Sequence, residues 1–169
     1  MDDGIYYTTF RTPWGWFGLC GYENALLRTC LPVGTREVAK RRLLAGLAHA
    51  RPNKDYFSDV QEMVKAYFEG SYVDFANVPV CLEALTGFQR RVLGALRDVT
   101  CVQIISYKRL AKMTGSPLAV RAVGGVLAKN PLPLVIPCHR VICCDGSLGG
   151  FSTAGGVKTK KRMLDMEKS

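Results

Sequence analysis

Pro137-Cys138-His139-Arg140-Val141 sits directly behind a proline-stiffened apolar run, Pro131-Leu132-Pro133-Leu134-Val135-Ile136. A thiol acts as a nucleophile through its thiolate form. A histidine beside it is the side chain suited to take its proton near neutral pH. A cysteine and histidine held in an apolar segment make sense if the sulfur must be a thiolate in a protected pocket. Side chains of adjacent residues diverge in an extended chain. Direct proton transfer from Cys138 to His139 thus needs a bridging water or a turn that bends the chain. A bare Cys-His pair is common by chance, so its meaning depends on the flanking sequence.

The 169 residues are 48% hydrophobic and 22% charged, ordinary for one globular domain or two small ones. No uninterrupted apolar run reaches the roughly 18 residues of a membrane span. The start, Met1-Asp2-Asp3-Gly4, is acidic and does not read as a signal peptide, which predicts an intracellular protein. The seven cysteines are scattered, with no C-x-x-C pair, so reduced thiols are expected. Cys20, Cys30 and His49 could contribute to a metal site, but no fourth ligand is evident. Buried structural cysteines are the better reading, and no metal is expected. Charge is strongly polarised. Residues 1–80 carry nine basic and nine acidic side chains, whereas residues 81–169 carry fourteen and five, which places the whole net +9 in the half that holds Cys138. A polyanion, nucleic acid first, is the partner that such asymmetry suggests; a solvated basic surface is the alternative.

The spacing predicts a small α/β domain over 1–80 and a mostly helical domain over 81–169. Tyr6–Phe10, Trp16–Cys20 and Ala25–Leu31 read as strands, with a turn at Thr12-Pro13-Trp14-Gly15. A helix follows Thr35, carrying Val38, Leu43, Leu44 and Leu47, and is expected to break at Pro52-Asn53. Val60, Met63, Val64, Tyr67 and Phe68 form one apolar stripe of a second helix that starts near Ser58 and ends at Gly70. Thr86 caps a helix over Phe88–Arg97. Ser106–Met113 and Leu118–Lys129 form a helix pair joined by Thr114-Gly115-Ser116-Pro117, with Ser116 as N-cap of the second. Such a pair is a helix-turn-helix, whose second member meets DNA. Here that helix is thin, Ala119-Val120-Arg121-Ala122-Val123-Gly124-Gly125-Val126. Its glycine pair costs about 2 kcal/mol relative to alanines. A single arginine amid small residues suits insertion into a minor groove or the base stack; close helix packing across the glycines is the alternative.

Ser-Tyr-x-x-Leu-Ala at 106–111, Arg-Ala-Val-Gly-Gly at 121–125, Asn-Pro at 130–131 and Ile-Pro-Cys-His-Arg-Val at 136–141 resemble the O6-alkylguanine-DNA alkyltransferase family from about Phe88 to Glu167. The N-terminal part is similar to it only loosely. The resemblance implies a three-stranded, ribonuclease H-like α/β domain, then a winged-helix/helix-turn-helix domain. It also implies repair without a cofactor: Cys138 accepts the alkyl group from O6 of a guanine flipped out of double-stranded DNA, irreversibly and once per molecule, with O4-alkylthymine as a second substrate. The relay it implies runs from Cys138 through water to His139 and Glu167. Asn130 would brace the turn holding Cys138, or cap the preceding helix. Tyr107 would assist the leaving guanine, and Arg121 would fill the gap in the stack. Val141, Phe151 and Ser152 would form the pocket, with Ser152 donating to O6. Ala119, Ala122 and Gly124 would lie against the minor groove, with Ser116 near a phosphate. A monomer is implied, cytoplasmic in a prokaryote or nuclear in a eukaryote.

Three departures stand out. Cys138 to Glu167 spans 29 residues, about two more than in many relatives, with the extra residues around Ser152-Thr153-Ala154. Val102 stands where relatives often have glycine. Lys158-Thr159-Lys160-Lys161-Arg162 reads as a solvated helix face or phosphate contact rather than a nuclear address, and Arg140 reads as structural. Rival readings are disfavoured. A silent alkylguanine sensor would lack the cysteine, a transcription factor would carry more base-reading side chains, and a cysteine hydrolase would need its histidine to face the sulfur.

Overall fold

The computed structural model describes residues 4–169; the acidic start Met1–Asp3 lies outside them. The chain divides into two compact units. One holds the described residues up to Val73 together with Asn77–Cys81, the other Asp74–Ala76 together with Leu82–Ser169.

In the first unit, β1 (Tyr6–Thr12), β2 (Gly15–Tyr22) and β3 (Ala25–Val33) form an antiparallel meander. Thr8, Phe10 and Thr12 alternate as buried residues of β1, and Phe17 to Gly21 of β2 are buried without a break, as a central strand covered on both faces requires. Helix α1 (Arg36–Leu43) packs on β2 and β3, and α2 (Ser58–Phe68) on β1. Gly18 permits the close approach of α1, because a Cβ there would meet Leu43 Cδ2 at 2.9 Å. Trp14 and Phe68 close the other side, with ring centroids 5.1 Å apart. Two sequence expectations change. Helix α1 stops at Leu43 instead of reaching Pro52, so Leu44 and Leu47 lie outside it. Arg28 supplies the stop by donating to the carbonyls of Leu43 and Ala45, and Gly46 turns the chain with φ of +74°. The freed segment Arg51–Pro52 then adds β4 parallel to β1, so the sheet has four strands, ordered β3-β2-β1-β4, rather than three. Proline is tolerated at that edge. Cys20 and Cys30 are buried and His49 is exposed. Among the described residues no cluster of three metal-ligating side chains occurs, and all seven cysteines are free.

The second unit is helical. Helix α3 (Gly87–Arg97) begins with a reciprocal capping box between Thr86 and Gln89. Ser106 caps α4 (Tyr107–Met113) and ends the two-residue β5 (Ile105–Ser106). Helix α5 (Val120–Ala128) starts two residues later than the sequence predicts. Ser116 does not cap it; its carbonyl accepts from Ala119 N, and Pro117-Leu118 remain a turn. Val92, Leu96, Leu110, Val123 and Leu127 are buried between α3, α4 and α5, each contributing roughly 1.5–3 kcal/mol. A 3-10 turn at Cys138–Arg140 leads into β6 (Val141–Ile142), parallel to β5, and α6 (Gly156–Lys168) closes the unit against that turn. Among the described residues no helix is long and apolar enough to cross a membrane.

Candidate active site

The segment that delivers Cys138 is pinned at both ends. Asn130, two residues past α5, accepts from Leu132 N at 3.0 Å and donates through Nδ2 to the Ile136 carbonyl at 2.9 Å. Cys138 N donates to the same carbonyl at 2.8 Å. Between them Leu134 sits at φ of +76°, a conformation that costs a leucine about 1–2 kcal/mol. Burial of Leu132 and Ile136 holds it there. The 3-10 turn then bends the chain so that Cys138 lines a cavity while His139 is packed in the interior, fully buried.

Behind the cysteine, His139 Nε2 meets Glu167 Oε1 at 2.6 Å. Arg140 holds the same carboxylate with Nε and Nη2, each at 3.0 Å, and donates Nη1 to the Val99 carbonyl at 2.7 Å. Burial pushes the Glu167 carboxyl up, but the hydrogen bonds from His139 and Arg140 outweigh it and hold it at about 2. It is therefore ionised, and Nε2 carries the imidazole proton. Burial holds His139 below its ordinary 6.5 despite the pull of Glu167, so the ring is neutral at pH 7. Its Nδ1 is left as a buried lone pair with no hydrogen-bond partner among the described residues. Burial likewise raises the Cys138 thiol above 9.0, opposed by the Asn130 side chain and the charge of Lys160. The resting pair is thus a thiol and a neutral base.

The cavity in front of the sulfur holds about 600 Å³, within the roughly 300–1,000 Å³ usual for small-molecule sites. Tyr107 from α4, Arg121 and Gly124 from α5, and Gly149–Ser152 line it with Cys138. Gly149, at φ of +70°, lies so near Tyr107 that a Cβ would meet its hydroxyl at 3.0 Å. Lys160 is fully buried on α6. Its ammonium donates to the carbonyls of Leu148 at 2.5 Å and Gly150 at 3.4 Å, and reaches the Tyr107 hydroxyl at 3.5 Å. Burial lowers its pKa, while Cys138 and Cys143 oppose the change.

The structure gathers most of the residues expected from the sequence, but not all. Cys138, Asn130, Tyr107, Phe151, Ser152, Arg121 and Gly124 share the cavity, and His139 and Glu167 stand directly behind it. Val141 does not line it; it is fully buried in β6, paired with Ile105. The Ser152 hydroxyl is turned to the Ala128 carbonyl at 2.6 Å instead of standing free. Ser116, Ala119 and Ala122 lie outside the cavity, along the turn and face that lead to it, and Ala122 is exposed. Arg140, read from the sequence as structural, bridges the Glu167 carboxylate and the Val99 carbonyl. Lys160 is not on a solvated face. The helical spacing 160–163–164–167 could have signalled it, since Met163 and Leu164 are buried and Glu167 is on the same stripe.

A buried thiol, a neutral imidazole and an ionised carboxylate thus stand together beside a helix-turn-helix, a set suited to nucleophilic chemistry at sulfur in a DNA-binding class of fold. The chain matches the ribonuclease-like domain of 6-O-methylguanine DNA methyltransferase over residues 5–82 and its DNA-binding domain over residues 87–169. It is 34% identical to a methylated-DNA–protein-cysteine methyltransferase of Mycobacterium tuberculosis, covering 98% of this chain and 93% of that one. It is 33% identical to the protein of that name from Cricetulus griseus, covering 95% and 81%. A crystal structure of a variant of the M. tuberculosis O6-methylguanine methyltransferase superposes with a TM-score of 0.81 at 34% identity, covering 98% and 93%. The M. tuberculosis protein in complex with DNA superposes with 0.80 at 33%, covering 96% and 92%. The chain belongs to the methylated-DNA–protein-cysteine methyltransferase family. Its activity is DNA repair by alkyl transfer, and DNA is its partner.

Proposed function

We propose that Cys138 is the acceptor, taking the alkyl group from O6 of a guanine flipped out of duplex DNA. The observation that carries this reading is the position of Cys138 in the wall of a cavity of about 600 Å³, roomy enough for an extruded base, with an unpartnered His139 nitrogen and an ionised Glu167 behind it. In the reaction the Sγ–carbon bond forms as the carbon–O6 bond breaks; the bonding pair stays on the guanine, whose anion takes up a proton from solvent to become neutral guanine. The thiol proton passes through a bridging water to Nδ1 of His139. Glu167 stabilises the imidazolium, as the third member of a triad does. Arg140 holds Glu167 ionised and oriented. Tyr107, kept protonated because burial raises its pKa, donates toward N3 of the departing guanine. Lys160 secures the Leu148–Gly150 strap against Tyr107.

Chemistry on a stacked base requires its extrusion. Gly124 and Gly125 support an approach by DNA on the outside of α5. A Cβ at Gly124 would come no nearer than 4.0 Å to Tyr107, and one at Gly125 would meet nothing within 4 Å, so helix packing does not require either glycine. The thin exposed face with Arg121 suits a minor groove, with the guanidinium occupying the space left by the flipped base. Ala119, Ala122 and Gly124 then face the groove walls, and Ser116 a phosphate. The thioether is stable, so each molecule acts once, as a monomer inside the cell. O4-alkylthymine presents the same alkyl–oxygen bond and is a second substrate. Titration with excess duplex carrying labelled O6-methylguanine tests the stoichiometry. Label on protein should plateau at one methyl per chain; continued transfer beyond that value overturns the single-use reading.

A further inference from the structure

Leu118 is 98% exposed, the most exposed of the large apolar side chains described. It occupies the turn just before α5, three residues ahead of Arg121. Met113, on the other side of the same turn, is 41% exposed. Lone surface leucines are ordinary, and exposure by itself assigns nothing. The position of this one does. It borders the helix face whose glycines leave open space and whose Ala122 and Arg121 are also exposed. Lys112 is exposed at the end of α4, close in sequence to the same turn, and this half of the chain carries the whole net positive charge.

We propose that Leu118 is an apolar wedge that contacts DNA beside the Arg121 site, against the deoxyribose edges of the minor groove or a partly opened base step. Groove-binding proteins commonly use leucine in this way, exchanging exposed apolar surface for contact with unstacked or widened DNA. The contact is uncharged, so it contributes affinity that salt does not screen, in contrast to a lysine contact. It also explains why a side chain that stabilises nothing in the free protein faces solvent at the DNA-facing turn. The inference rests on the reading that the outside of α5 faces the minor groove.

The test is equilibrium binding of the full chain to a short lesion-bearing duplex that holds one protein, across a range of salt, in a Cys138→Ala background. Because Leu118 packs on nothing, substitutions there leave folding intact. Leu118→Ser should weaken binding about tenfold or more at every salt concentration, with an unchanged slope of log affinity on log salt. Leu118→Lys should steepen that slope by about 0.9, the value of one added phosphate contact. Unchanged affinity of Leu118→Ser overturns the wedge. So does a loss seen only as reduced self-association of free protein in sedimentation, which would make Leu118 a contact between copies. Arg121→Ala separates the two levels: if it too leaves affinity unchanged, the assignment of this face to DNA fails, whereas a loss with Arg121→Ala alone rejects only the wedge.

Discussion

Replacing Glu167 by glutamine keeps the volume of the side chain and removes its charge. Burial of Arg140 would then be left without its counter-ion, and Nε2 of His139 without its strong acceptor. The folded carboxyl titrates at about 2 against an ordinary 4.5. Because the folded value is the lower one, its stabilisation is complete above the unfolded value and is lost as pH falls from 4.5 through 2. The difference corresponds to roughly 3 kcal/mol at neutral pH, in line with the ~3–5 kcal/mol lost when one partner of a buried ion pair is removed. At about 2–4 °C per kcal/mol, melting should fall by roughly 6–12 °C. Thermal unfolding followed at pH 7 and again at pH 3 measures both quantities. At pH 7 the variant should melt lower by that amount, and the gap should narrow at pH 3. Equal melting at pH 7, or a gap independent of pH, would refute the electrostatic account of this network.

The His139 base gives a pH dependence of its own. Its folded pKa lies below 6.5, so the single-turnover transfer rate should fall with acidification with a midpoint below 6.5; a midpoint at or above 6.5 contradicts the buried neutral imidazole. Arg121→Ala should slow transfer from duplex DNA far more than transfer from free O6-benzylguanine, and equal slowing of both argues against base extrusion. Val102 is exposed at φ of +72°, a conformation costly for a β-branched residue. Val102→Gly should stabilise the protein by about 1 kcal/mol in urea unfolding, and a destabilised variant would show that the strain is absent.

What local chemistry controls was legible in the residues. Thr86 was a recognisable cap, and the runs around the Thr12–Gly15 turn marked the three strands of the sheet. The divergence of adjacent side chains forecast that Cys138 cannot hand its proton straight to His139 in an extended chain, and in the 3-10 turn Cys138 lines the cavity while His139 is packed in the interior. Elements set by distant partners were not legible. The end of α1 depends on Arg28 reaching across from β3. The late start of α5 depends on a turn closed by Ser116 and Ala119, where a cap-like Ser-Pro pair suggested a helix. Lys160 looked like surface charge, and the partners of Arg140 were invisible, because only the folded chain brings the Leu148–Gly150 strap to the one and Glu167 and Val99 to the other. Ser152 was expected to donate into the pocket, and its hydroxyl turns instead to a carbonyl 24 residues earlier in the chain.

The central claim is that one sulfur, Cys138, receives the alkyl group and keeps it. Three of the cysteines, Cys138, Cys143 and Cys144, line the same cavity, so total mass alone does not distinguish them. Peptide-level mass spectrometry after incubation with an O6-methylguanine duplex does. The account predicts a lasting methyl on Cys138 in the wild-type protein and none anywhere in Cys138→Ala, which should still bind the duplex. A methyl on Cys143 or Cys144, or repaired DNA with all three thiols unmodified, would contradict it.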